Sequence, residues 1–298
     1  MKRIYNPIIL FFAITFLMSC GRPEQRENID FERWGTYWFQ GNAEISSFDL
    51  TQYRYGEARE GTAVLIYVTE DFSRKNQVKL DDPQAAGRDA QTVLKLNQTR
   101  NFTTGIYPYS TMTSVFTPVK EQSQAVKITS SVQEWCGQSF IQLNLGSGDS
   151  YSGNLYSYFE TEGDQSISIS GLAEDDIWNL LRIDPNLIPL GGVTVFPSMV
   201  YQRFTHKNLE SEQAFIRIQD ITPQRKQLEL SYESGSRTLK IEFRKDFPYE
   251  IMAWEEIEIR QDGQQEISRA ERKSVKVIDY WTKNSVEDEY LRRELQLD

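Results

Sequence analysis

The stretch QLELSYESGSRTLKIEFRKDFPYEIMAWEEIEI, residues 227–259, decides the fold. Leu228, Leu230 and Tyr232 alternate with polar residues, Glu233-Ser234-Gly235-Ser236 forms a turn, and Leu239, Ile241 and Phe243 resume the alternation on the way back. Period-two patterning on both sides of a Gly/Ser turn predicts a β-hairpin, because successive strand side chains point to opposite faces. Asp246-Phe247-Pro248 separates this pair from a strand over 249–260, and Asp262-Gly263 turns that strand into a return over 266–280. Four consecutive antiparallel strands form a meander.

Working outward, similar hairpins are expected at 43–53 with 62–69, joined through Gly56-Glu57-Ala58-Arg59-Glu60-Gly61, and at 140–145 with 155–159, across Gly146-Ser147-Gly148-Asp149. A strand over 166–170 follows Glu162-Gly163-Asp164. These templates give about a dozen strands in all. Helical patterning is sparse. Residues 173–183 place Ile177, Leu180 and Leu181 on one face, carry Glu174, Asp175 and Asp176 in the first turn, and stop before Asp184-Pro185; this helix is expected to cap an open end of the sheet. A C-terminal helix is expected from Ser285, where Ser285 and Asp288 have capping-box spacing and Arg292 and Arg293 fall near the end.

The fold class that follows is all-β: a long antiparallel meander forming a strongly curved sheet or partly closed barrel, with one short capping helix and a C-terminal helix. The chain divides as β-rich 29–170, helix and connection 171–192, meander 193–282 and terminal helix 283–298, and a continuous sheet crossing the 184–192 connection stays open. Inward positions on the concave face, with Tyr151, Leu155, Phe159, Val195, Met199, Tyr201, Ile257 and Ile259 as candidates, either pack shut or receive an apolar guest.

Residues 1–19 read as an export signal: Lys2 and Arg3, an apolar run from Ile8 to Met18, then Leu17-Met18-Ser19-Cys20. An eleven-residue apolar helix rises only about 16 Å against a hydrocarbon core of about 30 Å, too short to span. Leu17 and Ser19 ahead of Cys20 fit the lipoprotein peptidase, so Cys20 is expected to carry lipid and 20–28, with Pro23, to act as a tether. Loss of residues 1–19 takes two of the 33 basic residues and leaves 31 against 43 acidic ones, a net charge of −12. Such a surface is repelled by nucleic acid and by anionic headgroups. Cys136 then has no partner for an intrachain disulfide.

No motif names a reaction. His206 is the single histidine, so a histidine metal site is not expected, and Cys136 with His206 is compatible with a thiol dyad without indicating one. The chain has no phosphate-binding Gly-rich loop and no Ser nucleophile elbow, so no catalytic residue, metal or cofactor is assigned. Carboxylates cluster at Glu57 with Glu60, Glu160 with Glu162 and Asp164, and Glu255, Glu256 and Glu258, reading mainly as solvated faces and turns. Glu70-Asp71, at the end of an apolar strand, and Trp135-Cys136, before Gly137, are the candidate functional residues.

Arg54-Tyr55-Gly56-Glu57, Glu70-Asp71-Phe72, Thr104-Gly105-Ile106-Tyr107-Pro108-Tyr109-Ser110 and Gln133-Glu134-Trp135-Cys136-Gly137 together resemble a family of uncharacterised envelope lipoproteins from the Bacteroidetes. Members are often labelled septum formation inhibitor Maf. Cytoplasmic Maf pyrophosphatases open with a Ser-x-Ser-Pro-Arg-Arg type stretch, which this chain lacks. The resemblance implies an envelope location and no established activity. Three roles are expected to compete: a non-catalytic, lipid-anchored protein binding a partner protein, glycan or apolar ligand on its curved sheet; a carboxylate-dependent hydrolase of envelope glycans; and a lipid carrier of half-barrel type. The position after Cys20 is not aspartate and no acidic run follows, which points to the periplasmic side of the outer membrane.

Overall fold

The computed structural model describes residues 30–120, 124–260 and 262–297. The signal, Cys20 and the tether lie outside them. Fifteen strands form one sheet: β1 Ala43–Arg54, β2 Glu57–Ser73, β3 Ala90–Thr104, β4 Tyr107–Pro118, β5 Lys127–Glu134, β6 Gly137–Leu145, β7 Ser150–Ser157, β8 Gln165–Ser170, β9 Leu172–Ala173, β10 Gly191–Phe196, β11 Glu212–Thr222, β12 Arg225–Tyr232, β13 Arg237–Arg244, β14 Ile251–Ile259 and β15 Gln265–Ile278. Five short helices accompany them: α1 Phe31–Trp38, α2 Pro83–Ala86, α3 Ile177–Ile183, α4 Met199–Thr205 and α5 Tyr290–Glu294. The sheet order runs from β8 down to β1, then to β15 and down to β9, so the two edge strands are neighbours in the chain. The sheet therefore curls into a nearly closed barrel, with every pairing antiparallel except β9 with β10.

Gly171 makes the seam. It joins β8 to β9 at φ +119°, and a Cβ there would meet the Thr194 carbonyl oxygen of β10 at 2.8 Å. Ser211 Oγ donates to the Ser170 carbonyl at 2.5 Å beside it. Gly171→Ala is accordingly expected to lower stability by about 1–3 kcal/mol, read as a shift in the urea midpoint at unchanged slope. A neutral substitution would mean the seam is not held closed in solution.

The alternation expected from the sequence sets the barrel's inside. Leu228, Leu230, Tyr232, Leu239, Ile241 and Phe243 are all buried in one apolar core with Phe48, Leu65 and Trp254. On β14 the inward set is Trp254, Glu256 and Glu258, so Ile257 takes the outer face, opposite the half-exposed Ile267 of β15. The first hairpin is tighter than expected: Arg54 pairs with Glu57, leaving only Tyr55 and Gly56 in the turn.

The expected helix over 173–183 is shorter and lies deeper than its acids suggest. Residues 174–176 form a 3-10 turn, and α3 closes the barrel from within, every one of its seven residues buried. Most of its polar groups find partners there, Asn179 Oδ1 being left without one. Asn179 Nδ2 lies 3.0 and 3.2 Å from the Leu94 and Val115 carbonyls and 2.8 Å from Thr117 Oγ1. Asp176 accepts from Thr117 Oγ1 at 2.5 Å and from the Ala125 amide at 2.7 Å. Trp178 stands edge-on to Trp254 at 5.2 Å, filling the axis. The terminal segment begins as expected with a Ser285–Asp288 capping box, as a 3-10 turn leading into α5.

An antiparallel meander sends alternate connections to opposite ends. One end, the mouth, collects the turns after β1, β3, β5, β7, β12 and β14 together with α4. The other end holds α1, the connection from β2 to β3 and the start of the C-terminal segment.

Candidate functional site

A cleft of about 940 Å³ opens at the mouth, lined by residues that include Tyr55, Phe204, His206, Lys207, Glu258 and Glu266. Two non-glycine residues held in the left-handed region line it: Tyr55 at φ 56° and His206 at φ 55°. Tyr55 and Gly56 both have positive φ, as a two-residue hairpin turn of type I′ requires, and Asn or Gly usually stands at the first of these positions. A bulky residue there costs about 1 kcal/mol or more and persists only where its surroundings hold it. They do: Tyr55 Oη lies 2.7 Å from Tyr109 Oη, and the Arg54 guanidinium sits 4.3 Å over the Tyr55 ring and 4.7 Å from that of Phe204. The strain displays an aromatic face, 59% exposed, over the cleft.

His206 caps α4 and its Nδ1 lies 2.5 Å from Glu162 Oε1, with Arg203 3.6 Å from the same oxygen. The imidazole is thus engaged by a carboxylate and not by Cys136. The Cys136 thiol is pushed up by its hydrogen bond to Glu134, the opposite of what a nucleophile needs.

Glu258 forms part of the cleft wall and the end of a buried charge chain. Its carboxylate lies 3.4 Å from Arg237 Nη1; Arg237 Nη2 lies 2.6 Å from Glu174 and 3.3 Å from Glu256; Glu256 accepts from Arg100 at 2.7 and 2.8 Å. Tyr232 Oη donates to Glu174 at 2.7 Å. Burial acts to raise Glu256, but Arg100 and then Arg237 hold it down to about 2. Burial likewise pushes Glu258 up to about 7, with Arg237 opposing and Glu256, Glu266 and Glu174 reinforcing the rise. Glu266, paired directly opposite Glu258 across β14 and β15, binds Arg260 Nη1 at 3.0 Å.

The sign of the Glu258 shift gives a test. A carboxyl raised from 4.5 to about 7 binds its proton more tightly in the folded state, so its contribution is complete below pH 4.5 and is lost as pH rises through 7. Glu258→Gln, which stays neutral, is expected to stabilise the protein by about 2 kcal/mol at pH 8 and to have little effect at pH 4.5. Thermal melts at the two pH values check this. A variant less stable than the parent at pH 8 would show that the Arg237 contact outweighs burial.

The residues singled out from sequence are divided between the two ends. Glu70 points outward between Lys95 and Lys79, at 2.6 and 3.4 Å. Asp71 is exposed in a shallow surface cleft with Arg74, Gln91 and Lys120. Trp135 and Cys136 occupy the β5 to β6 turn at the mouth, with the Tyr107 ring 6.4 Å from that of Trp135. Four successive turns of this end each carry an exposed large apolar side chain: Tyr55, Ile106, Trp135 and Tyr158. Sequence reasoning missed Glu258 and Glu266 as site residues. Among the described residues no group of three or more His, Cys, Asp or Glu side chains is placed to hold a metal, and no helix is long and apolar enough to cross a membrane.

No protein-family model matches the chain, and no curated protein matches it. Among solved structures, a beta-barrel-like protein of the domain of unknown function DUF1849 from Brucella abortus is similar at a TM-score of 0.46 and 7% identity, covering 80% of this chain and 98% of that one.

Proposed function

We propose that this chain is a lipid-anchored envelope protein, attached through Cys20 and facing the periplasm from the outer membrane, that binds a glycan at the mouth of its barrel without transforming it. The observation that carries the reading is the cleft itself: an exposed aromatic face fixed at Tyr55 beside Phe204, next to hydrogen-bonding groups at His206, Lys207, Glu258 and Arg260. Sugars present apolar ring faces edged by hydroxyl groups, and a wall of this mixed kind matches both. A wholly apolar guest fits less well, because α3 and Trp254 fill the barrel axis and charged pairs surround them. The resemblance to Bacteroidetes envelope lipoproteins agrees with the location.

Saturation-transfer NMR with a panel of amino-sugar and neutral hexose oligosaccharides tests the proposal. Transfer from at least one is expected, and Tyr55→Ala is expected to weaken it by about tenfold, the loss of one stacking face. Absence of transfer from the whole panel, or transfer indifferent to Tyr55→Ala, would sink it.

One observation favours a second reading, glycoside hydrolysis. Glu258 and Glu266 stand opposite each other on one face of the cleft, the first pushed toward its neutral form and the second paired with Arg260. Two carboxyl groups of one cleft in different environments are a pair that such hydrolysis can use. Prolonged incubation of a bound oligosaccharide decides between the two readings: cleavage abolished by Glu258→Gln supports hydrolysis, and recovery of intact sugar excludes it.

A further inference from the structure

The end opposite the mouth has an apolar surface of its own. Ala43, at the start of β1, pairs with Ile278 at the end of β15, so the chain's first and last described segments leave the barrel side by side. Beyond Ile278 the chain folds back over the outside of the sheet, where Leu295, with Tyr280 and Leu297, packs on Ala43, Ile45 and Val68. The outward side of this segment is not covered. Val286 is 80% exposed, Trp281 and Tyr290 are each 47% exposed, and Phe39, at the end of α1, is 50% exposed. Val286 opens the 3-10 turn of this segment and Tyr290 opens α5, and both side chains are exposed. Lys283, Arg292 and Arg293 edge the same segment.

Tryptophan and tyrosine beside lysine and arginine, with a bare aliphatic side chain between them, is the chemistry of a membrane–water interface. The place in the chain argues for the same occupant. Residues 20–29 reach at most about 35 Å when fully extended, so lipid on Cys20 would keep this end within that distance of the headgroups. Glu287 and Glu289 lie in the same segment, so the attraction is apolar and not electrostatic.

We propose that the C-terminal segment around Trp281, Val286 and Tyr290 lies against the bilayer surface beside the anchor and holds the barrel with its mouth turned away from that membrane. The orientation rests on the anchoring reading above; the surface itself does not. The chain from residue 20 with Cys20→Ser, which carries every described strand and helix, is mixed with phosphatidylcholine vesicles and the bound fraction measured by flotation. Binding is expected, weaker to vesicles containing phosphatidylglycerol because the acidic surface is repelled, and is expected to fall by about tenfold or more in Trp281→Ser/Val286→Ser/Tyr290→Ser. Val286→Glu alone, an exposed change that spares the packing, is expected to weaken binding in the same direction. No binding, unaltered binding in these variants, or loss on Ile106→Ser/Trp135→Ser instead would overturn the proposal. The mass of the mature chain reads the anchor separately: Cys20 without lipid, alongside vesicle binding that depends on Trp281, would remove the anchor and leave the surface.

Discussion

Arg237→Met is expected to lower stability by about 3–5 kcal/mol, one of the two largest single-site effects in the molecule. Arg237 is buried between three glutamates, Glu174, Glu256 and Glu258, and its guanidinium also lies 4.4 Å over the Tyr201 ring. Methionine fills much of the same space but leaves Glu174 and Glu258 without their guanidinium and Glu256 with Arg100 alone. The loss should therefore depend on pH. Carboxylates stripped of a buried cation gain protons more readily in the folded than in the unfolded state, so the deficit is expected to shrink as pH falls from 8 to 5. Urea unfolding at the two pH values measures it. An equal deficit at both would show that the arginine acts by packing and not by charge.

The second large effect is expected at Arg182. Its guanidinium donates to both carboxylate oxygens of Glu44 at 2.6 Å and from Nε to the Pro248 carbonyl at 2.9 Å, and lies over the rings of Trp38 and Tyr67. Tyr37 donates to the same glutamate at 2.5 Å. One side chain of α3 thus joins α1, β1, β2 and the connection before β14. Arg182→Met is expected to cost about 3–5 kcal/mol, because Glu44 then stays buried with Tyr37 as its remaining hydrogen-bond donor. Adding Glu44→Met is expected to recover much of that loss, since an apolar pair of similar volume often replaces a buried ion pair at little cost. A double variant as unstable as the sum of the two single ones would show that the pair is not coupled.

The hairpins were legible because their information is local. Leu228-x-Leu230-x-Tyr232 and Leu239-x-Ile241-x-Phe243 each declare a face, and the barrel's inside follows from them. The depth of α3 was not legible, since Glu174, Asp175 and Asp176 read as the charged first turn of a capping helix and the partners of these acids and of Arg182, namely Arg237, Met199, Thr117 and Glu44, lie 24 to 138 residues away. The mouth was half legible. Trp254-x-Glu256-x-Glu258 carries a period of two that puts both glutamates on the side of the tryptophan, a signal hidden by grouping Glu255, Glu256 and Glu258 as one charged face. The same rule sets Glu70 outward, away from Leu65 and Tyr67. What no pattern discloses is that Tyr55 and His206, 151 positions apart, are both held at positive φ on one cleft.

With its axis filled by α3 and charged pairs, the barrel offers a ligand the cleft at its mouth and no interior cavity for acyl chains among the described residues. Native mass spectrometry of the chain from residue 20 with Cys20→Ser, purified from a host rich in envelope phospholipid, tests this most directly. The expected result is a chain that carries no acyl-bearing molecule and takes up an oligosaccharide in a manner that Tyr55→Ala weakens. Retention of a phospholipid or fatty acid through purification, displaced by no sugar, would contradict it.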